Sequence, residues 1–442
     1  MAINRRQFIK NSAAGAAVAS FASVVPIFGA EPDKKIRFAQ IGCSGRGKAH
    51  YGMWRSNEFV AACDTNRKVI GMFNEKNMPK LKKYTNYYEM YENEMDNIDA
   101  VIVATPDQHH FAAAMMALDA GKAVYCEKPL AWSITECLEL AKMAKKKKLV
   151  TQMGNQGNAQ QGWRDCYNII HSDVIGKVRE VKTWTNRPIW PQGNNKPEGE
   201  GLPIPEHLDW ESWIGPSPMR AFHGELDFDW RGYYDFGCGA LGDMSCHTMN
   251  AMFQIMKPDY NCTIEPILVE GRTNDQFPTK EIIKWAFDKS GDCPGFDCYW
   301  YDGNLKPEKP EEMGEAELPR TGSMFMGEKG ILITASDYNS SPKVYVGGQL
   351  IQPEVDQLVP ESKGNIHNQF IDAIQGKMEW NETCSNFGYA GKMTAIINMG
   401  PVAEKVDKKI RFSARKMRFK DKEARALMGR KPREGWKKAY KI

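Results

Sequence analysis

Ile36-Arg37-Phe38-Ala39-Gln40-Ile41-Gly42-Cys43-Ser44-Gly45-Arg46-Gly47 is an apolar run that stops at a cluster of glycines. An apolar run ending in a glycine turn predicts a buried strand that delivers the chain into a helix. The pattern recurs downstream. Residues 59–63 end at Asp64, 100–104 at Thr105-Pro106, 123–126 at Glu127, and 149–153 form a fifth run. Helical patterns at 111–120 and 133–144 separate them. Near-continuous apolar strands alternating with helices predict a doubly wound parallel sheet, an α/β domain spanning 34–155. Such sheets bind ligands beyond the carboxyl ends of their strands, where Gly42, Asp64, Thr105-Pro106 and Glu127-Lys128-Pro129 all fall.

The glycine turn approximates the GxGxxG dinucleotide fingerprint, with Ser44 in place of the middle glycine. Gly42, Ser44, Gly45, Arg46 and Gly47 are therefore expected to hold a pyrophosphate. Asp64 lies about 20 residues on, where a carboxylate accepts hydrogen bonds from ribose hydroxyls. A carboxylate there repels a 2′-phosphate, so NAD is expected over NADP. Arg67 nearby keeps NADP as the alternative. Thr105, Pro106, His110 and Glu127, at the ends of later strands, are further candidates around the cofactor, and Gln156 is a candidate at the seam between domains.

Beyond residue 154 the pattern changes. Strand-like runs at 178–185, 281–287, 330–334 and 343–346 are separated by long Pro-, Gly- and Trp-rich connections. They predict an α+β domain over 156–442 with a large open, mostly antiparallel sheet. Helices are expected near 365–374 and 387–399. The Trp-rich stretch Asp209-Trp210-Glu211-Ser212-Trp213-Ile214-Gly215-Pro216 is read as a packed structural plug. From Lys405 onward, mixed charge suggests a solvated closing segment.

Composition narrows the function classes. Hydrophobic residues at 42% and charged residues at 26% exclude a disordered chain. A net charge of +4 over 442 residues gives no footprint for nucleic acid. The eleven cysteines carry no CxxC pair or zinc spacing, so no metal is expected.

Asp243 and His247 stand four residues apart, on one face of an expected helix. A carboxylate beside an imidazole can orient the ring and raise its basicity. A histidine near neutral pKa can take a hydroxyl proton. A fixed ammonium such as Lys128 can steady a developing alkoxide. Pro129 restricts the backbone of Lys128 and so fixes its direction.

With these residues in view, the chain resembles the Gfo/Idh/MocA family of oxidoreductases. The matching pieces are the Gly42 to Gly47 turn, Thr105-Pro106-Asp107-Gln108-His109-His110, Cys126-Glu127-Lys128-Pro129-Leu130-Ala131, and Trp230-Arg231 followed by Gly237 to His247. The resemblance implies an N-terminal Rossmann domain and a C-terminal open sheet. It implies that Lys128 touches nicotinamide and substrate and that His247 is the general acid/base. Asp243 would position the histidine or hold substrate hydroxyls, and Arg231 would reach the cofactor. It also implies a cis Lys128-Pro129 bond and a homo-oligomer, dimer or tetramer. Ser44 and the run Gly237-Cys238-Gly239 depart from the usual glycines, and neither removes a catalytic group.

The first 30 residues read as a twin-arginine export signal. Asn4-Arg5-Arg6-Gln7-Phe8-Ile9-Lys10 precedes a mild Ala/Gly-rich stretch too short for a membrane span. A periplasmic enzyme exported already folded would carry its cofactor with it, so a tightly bound NAD is expected. The expected function is oxidation or reduction of a secondary hydroxyl of a sugar, glycoside or polyol, with no nucleic acid and no membrane partner beyond the signal. One alternative is an NAD-dependent glycosidase or lyase working through a transient keto sugar. The Tyr-Pro-Thr-His-like block usual in that branch is absent. Another is a catalytically silent periplasmic sugar-binding protein.

Overall fold

The computed structural model describes residues 35–74, 76–193, 200–224 and 229–442. The twin-arginine pattern and its expected cleavage residues lie outside the described residues.

The first sheet contains β1 (Arg37–Ile41), β2 (Glu58–Cys63), β3 (Lys82–Tyr84), β4 (Ala100–Val103), β5 (Ala123–Cys126) and β6 (Thr151–Met153). Their order is β3-β2-β1-β4-β5-β6, with every pair parallel. This is the doubly wound arrangement, and its direction reverses between β1 and β4. The central strands β4 and β5 are apolar at every position because both faces are covered. Phe38, Ala62, Ile102 and Tyr125 pack into one core, and Ile41, Cys63, Val103 and Cys126 into the other. Helices α1 (His110–Asp119) and α2 (Ile134–Lys147) bury their apolar residues in the second of these cores. Ser133 and Glu136 form a capping box that starts α2.

The second sheet runs β7 (Val178–Trp184), β8 (Cys262–Glu270), β9 (Lys280–Phe287), β10 (Phe296–Tyr301), β11 (Gly322–Gly327), β12 (Gly330–Ala335), β13 (Ser340–Val346), β14 (Gln349–Ile351), β15 (Ile410–Ser413) and β16 (Arg418–Phe419). Their spatial order is β14-β13-β12-β11-β7-β10-β9-β8-β15-β16. All described neighbours are antiparallel except β7 with β10. Along β9, Glu281, Ile283, Trp285 and Phe287 are buried while the residues between them are half-exposed, the alternation of a sheet with one covered face.

Later helices tie the two sheets together. After α3 (Gly239–Thr248) come α4 (Ile366–Ile374) and α5 (Phe387–Ile397). The Ile366, Phe370 and Ile374 side chains of α4 pack into the first sheet's core beside Phe38 and Tyr125. Helix α5 packs along α2. No helix among the described residues is long and apolar enough to cross a membrane. All eleven cysteines are free, and ten of them are buried.

The closing segment departs from expectation. It is not a solvated tail: β15 extends the second sheet through β8, and Trp436 is buried against Tyr87, Tyr88 and His109. A few large apolar residues do this work among many charges, so composition hides them. The Trp-rich stretch does pack as a plug, with Trp210 and Trp213 stacked 4.7 Å apart in a cluster with Phe222 and Phe236.

Candidate active site

The cleft opens at the carboxyl ends of β1 and β4, where the sheet order reverses. Gly42 sits at its floor with φ +82°, and a Cβ there would fall 2.3 Å from the Ala104 carbonyl oxygen. Only a bare backbone turns there so close to β4. A cavity of about 260 Å³ follows, lined among others by Gly42, Ser44, Gly45, Arg46 and Asp64. Thr105, Pro106 and Arg231 line it from other elements. Gly45 to His50 form a tight turn ahead of a short helix, with the Gly47 N–H donating to the Ser44 carbonyl at 2.7 Å.

The two oxygens of Asp64 accept from the backbone N–H groups of Cys43 (2.8 Å) and Asn66 (2.9 Å). Those bonds fix the carboxylate at the cleft edge, although burial raises its pKa. The Thr105 Oγ1 is buried without a partner among the described residues. A bare glycine floor, a fixed carboxylate and an orphaned hydroxyl suit a dinucleotide.

Arg67 does not join this group. An antiparallel bridge pairs Asn66 with Leu208 at the cavity wall, and the Arg67 guanidinium donates to the Glu206 carbonyl at 3.1 Å. His110 is also corrected as a cofactor contact. It is buried, with Nδ1 2.7 Å from the Pro129 carbonyl and Nε2 3.0 Å from the Thr105 carbonyl. It braces the end of β4 against the Lys-Pro turn. His109 pins the plug through the Trp213 carbonyl at 2.7 Å.

Glu127 lies behind the cleft. Burial alone would raise its carboxyl, but His50 at 3.1 Å and the Arg46 guanidinium at 2.9 Å hold it well below the carboxylate range. Its other oxygen accepts from the Lys128 N–H at 3.2 Å. A Cβ on Gly154 would lie 2.5 Å from the Glu127 carboxyl carbon, which these partners keep from moving away. Gly154→Ala is expected to cost about 1–3 kcal/mol by overpacking, and denaturant unfolding of the variant checks this.

Lys128 is in the expected cis peptide with Pro129. Its ammonium donates to Asp243 Oδ1 at 2.7 Å and to the Asp243 carbonyl at 2.8 Å. The same Oδ1 accepts from Arg231 Nε at 3.2 Å. Burial opposes both charges, yet the pairing holds the Asp243 carboxyl below, and the Lys128 amine above, their ordinary values. Arg231 thus links the cleft to the helix that carries Asp243 and His247.

His247 stands one turn further along α3, and here the sequence expectation needs correction. Asp243 spends its carboxylate on Lys128 and Arg231 and makes no hydrogen bond to the imidazole. The ring's Nδ1 instead faces Asn155 Oδ1 at 3.3 Å. Helical spacing puts Asp243 and His247 on one face, but a nearby ammonium and guanidinium outcompete a neutral ring for a carboxylate. Burial, reinforced by the Lys128 charge, pushes the His247 pKa down to about 3, so the ring is neutral at rest. Gln156 lies on this side too. It donates to the Tyr338 hydroxyl at 2.7 Å, and the Tyr338 ring meets His247 edge-on at 5.3 Å.

Sequence reasoning missed Asn155 and Asp107. Asp107 stood inside a quoted motif and Asn155 next to the candidate Gln156, and only the three-dimensional placement distinguishes them. Asp107 is buried beside Arg231, Asp243 and Lys128, and burial pushes its carboxyl up to about 7. Its folded pKa lies above the unfolded one, so between about pH 4 and 7 the folded state binds the extra proton. Stability then falls as pH rises through that window. Asp107→Asn is expected to gain on the wild type across it, by up to about 1.4 kcal/mol per pH unit. Urea titrations at several pH values measure this.

Two family models match the chain: "Oxidoreductase family, NAD-binding Rossmann fold" over residues 36–155, and "Oxidoreductase family, C-terminal alpha/beta domain" over 170–286. The first domain is an NAD-binding Rossmann domain. Among curated relatives, a glycosyl hydrolase family 109 protein of Shewanella pealeana is 26% identical over 205 residues, covering 40% of this chain and 45% of that protein. Inositol 2-dehydrogenase of Salmonella typhimurium is 30% identical over 121 residues, covering 27% of this chain and 35% of that protein. The chain therefore spans less than half the length of either. Among solved structures, the WlbA dehydrogenase of Bordetella pertussis, in complex with NADH and UDP-GlcNAcA, superposes with a TM-score of 0.60 at 15% identity. That match covers 86% of this chain and 99% of that one. The aldose-aldose oxidoreductase of Caulobacter crescentus, complexed with glycerol, gives a TM-score of 0.56 at 15% identity, covering 86% of this chain and 100% of that one. At such identities the likeness establishes the fold.

Proposed function

The chain belongs to the Gfo/Idh/MocA family of oxidoreductases, and we propose that it oxidises or reduces a secondary hydroxyl of a sugar, glycoside or polyol with NAD. One observation carries this. The Lys128 ammonium is clasped to Asp243 at 2.7 Å, with a neutral buried histidine one turn away and Arg231 bridging to the nucleotide cleft. Bound NAD supplies the hydride acceptor. His247 accepts the hydroxyl proton, Lys128 steadies the alkoxide, and Asp243 and Arg231 hold that amine in place. The carbohydrate relatives by name, inositol 2-dehydrogenase among them, support the substrate class.

The test is a panel of free sugars, glycosides and polyols, followed at the absorbance band of reduced nicotinamide. A rise in that band together with a keto product supports the proposal, and no response from protein shown to bind NAD opposes it. Asp64 is the selector for NAD over NADP. Asp64→Ala is expected to weaken NAD binding by about 1.5–3 kcal/mol, roughly 10- to 100-fold, and to narrow the preference over NADP. Calorimetric titration with both dinucleotides measures that.

A second reading is redox-neutral glycoside cleavage through a transient keto sugar, favoured by the similarity to glycosyl hydrolase family 109 proteins. A released aglycone without net reduction of NAD would select it. The proposal also includes export by the twin-arginine route, tightly held cofactor and a homodimer or tetramer. Cell fractionation, dinucleotide analysis of purified protein and light scattering test these three points.

A further inference from the structure

The chemistry proposed for His247 needs one ring nitrogen without a proton, and nothing in the Asp243 contacts decides which. A buried line of amides does. Asn155 is fully buried, and its Nδ2 has two acceptors within reach: the Cys246 carbonyl at 2.9 Å and Asn250 Oδ1 at 3.0 Å. A backbone carbonyl cannot donate, so the Asn155 amide group must face it and its oxygen must face His247. Asn250 is held the same way round. Its Oδ1 also accepts from the Tyr389 hydroxyl at 2.9 Å, and its Nδ2 points to Asn158 Oδ1 at 3.4 Å. Asn158 in turn accepts from Gln254 at 2.8 Å and donates to Ser385 Oγ and to the Cys384 carbonyl. Three amides therefore share one polarity, fixed at both ends by backbone carbonyls. Turning any of them round would set oxygen against oxygen inside the core, at a cost comparable to leaving buried polar groups unpaired.

We propose that Asn155 is a positioning residue that sets the tautomer of His247, holding its proton on Nδ1 and leaving Nε2 as the nitrogen that takes the substrate's proton. An acceptor oxygen 3.3 Å from Nδ1 is satisfied only when that nitrogen carries hydrogen. Among the described residues no hydrogen bond engages Nε2. When the hydroxyl gives up its proton, the O–H bond breaks, Nε2 gains the hydrogen and the ring becomes a cation. Asn155 then still accepts from Nδ1–H, so the network does not rearrange during the step. The amide gives orientation without the charge that an aspartate would add. This role rests on the oxidoreductase proposal for its purpose, but its geometry can be tested apart from activity.

The experiment is nitrogen-15 NMR of the full chain labelled in its eight histidines. The His247 ring is assigned as the signal missing from His247→Gln. The expected wild-type pattern is a protonated Nδ1 and a bare Nε2 near neutral pH, and the opposite tautomer would overturn the proposal. Asn155→Leu keeps the bulk and removes the acceptor at Nδ1, and the Nε2-protonated tautomer is expected to become populated. kcat is expected to fall with that population. An unmoved tautomer in folded Asn155→Leu would also overturn it. If Asn155→Leu does not fold, the wild-type tautomer alone decides. A protein with the expected tautomer but no hydride transfer would fail the functional proposal and keep this one. Hydride transfer with the opposite tautomer would do the reverse.

Discussion

Replacing His247 by asparagine is expected to lower kcat for alcohol oxidation by about 10²- to 10⁴-fold, the usual worth of a positioned general base. NAD binding should survive, because His247 is not among the residues lining the nucleotide cleft. The wild-type pH profile should be distinctive. Burial and the nearby Lys128 charge depress the ring to about 3, so it stays neutral far below the ordinary histidine range. The acid limb of kcat/KM is therefore expected well below pH 6.5, the unperturbed histidine value. The linkage has the same sign. A histidine whose folded pKa is depressed is protonated first in the unfolded chain, so its contribution to stability is lost as pH falls below about 6.5. In the asparagine variant both the acid limb and that stability slope should diminish. Steady-state kinetics and urea unfolding from pH 4 to 8 read the two effects together.

Lys128→Met is expected to be nearly as damaging, with a loss of about 10²- to 10³-fold in kcat from removing one preorganised cation at the reacting oxygen. Methionine fills much of the lysine's volume, so the loss reports charge rather than space. Two consequences separate this variant from the histidine one. Asp243 loses its shortest partner and keeps only Arg231 Nε at 3.2 Å. Its carboxyl should rise toward and past the ordinary range, destabilising the fold by less than the ~3–5 kcal/mol of a fully orphaned buried charge. His247 also loses a cation that depresses it, so the residual acid limb should shift to higher pH. A Lys128→Met enzyme with an unmoved acid limb would mean that the two groups do not share a site.

The parallel sheet was legible because both its faces are buried. Residues 100–103 and 123–126 are apolar at every position, which no half-exposed strand permits. β3 escaped notice because Lys82–Tyr84 is a three-residue edge strand with two lysines. In the second sheet, β8 was obscured by Pro266 and the register shift beside it, and β11 by glycines at both ends. Helix α4 reads correctly as a helix, but nothing local says that it closes the first domain.

The site divides in the same way. The i,i+4 spacing of Asp243 and His247 and the strand-end position of Lys128 are local facts, so sequence reports them. Which partner each group chooses is a competition among charges brought from far apart. Asp243 goes to Lys128, 115 residues away, and His247 to Asn155, 92 residues away. No spacing rule encodes either choice. Arg67 shows the converse: its position after the second strand suits a phosphate contact, and it donates instead to the Glu206 carbonyl of a crossing segment.

The most direct measurement follows a label. The NAD-loaded protein is mixed in a single turnover with fully deuterated sugars and polyols, and the dinucleotide is recovered and weighed by mass spectrometry. The account predicts deuterium on the dinucleotide with at least one carbohydrate, retained at completion for net oxidation or caught by quenching before the hydride is returned for glycoside cleavage, and labelling about 10²- to 10³-fold slower when Lys128→Met, though still binding NAD, replaces the wild type. Deuterium transferred equally well by Lys128→Met, or no transfer from any carbohydrate to a fully loaded wild-type enzyme, would contradict it.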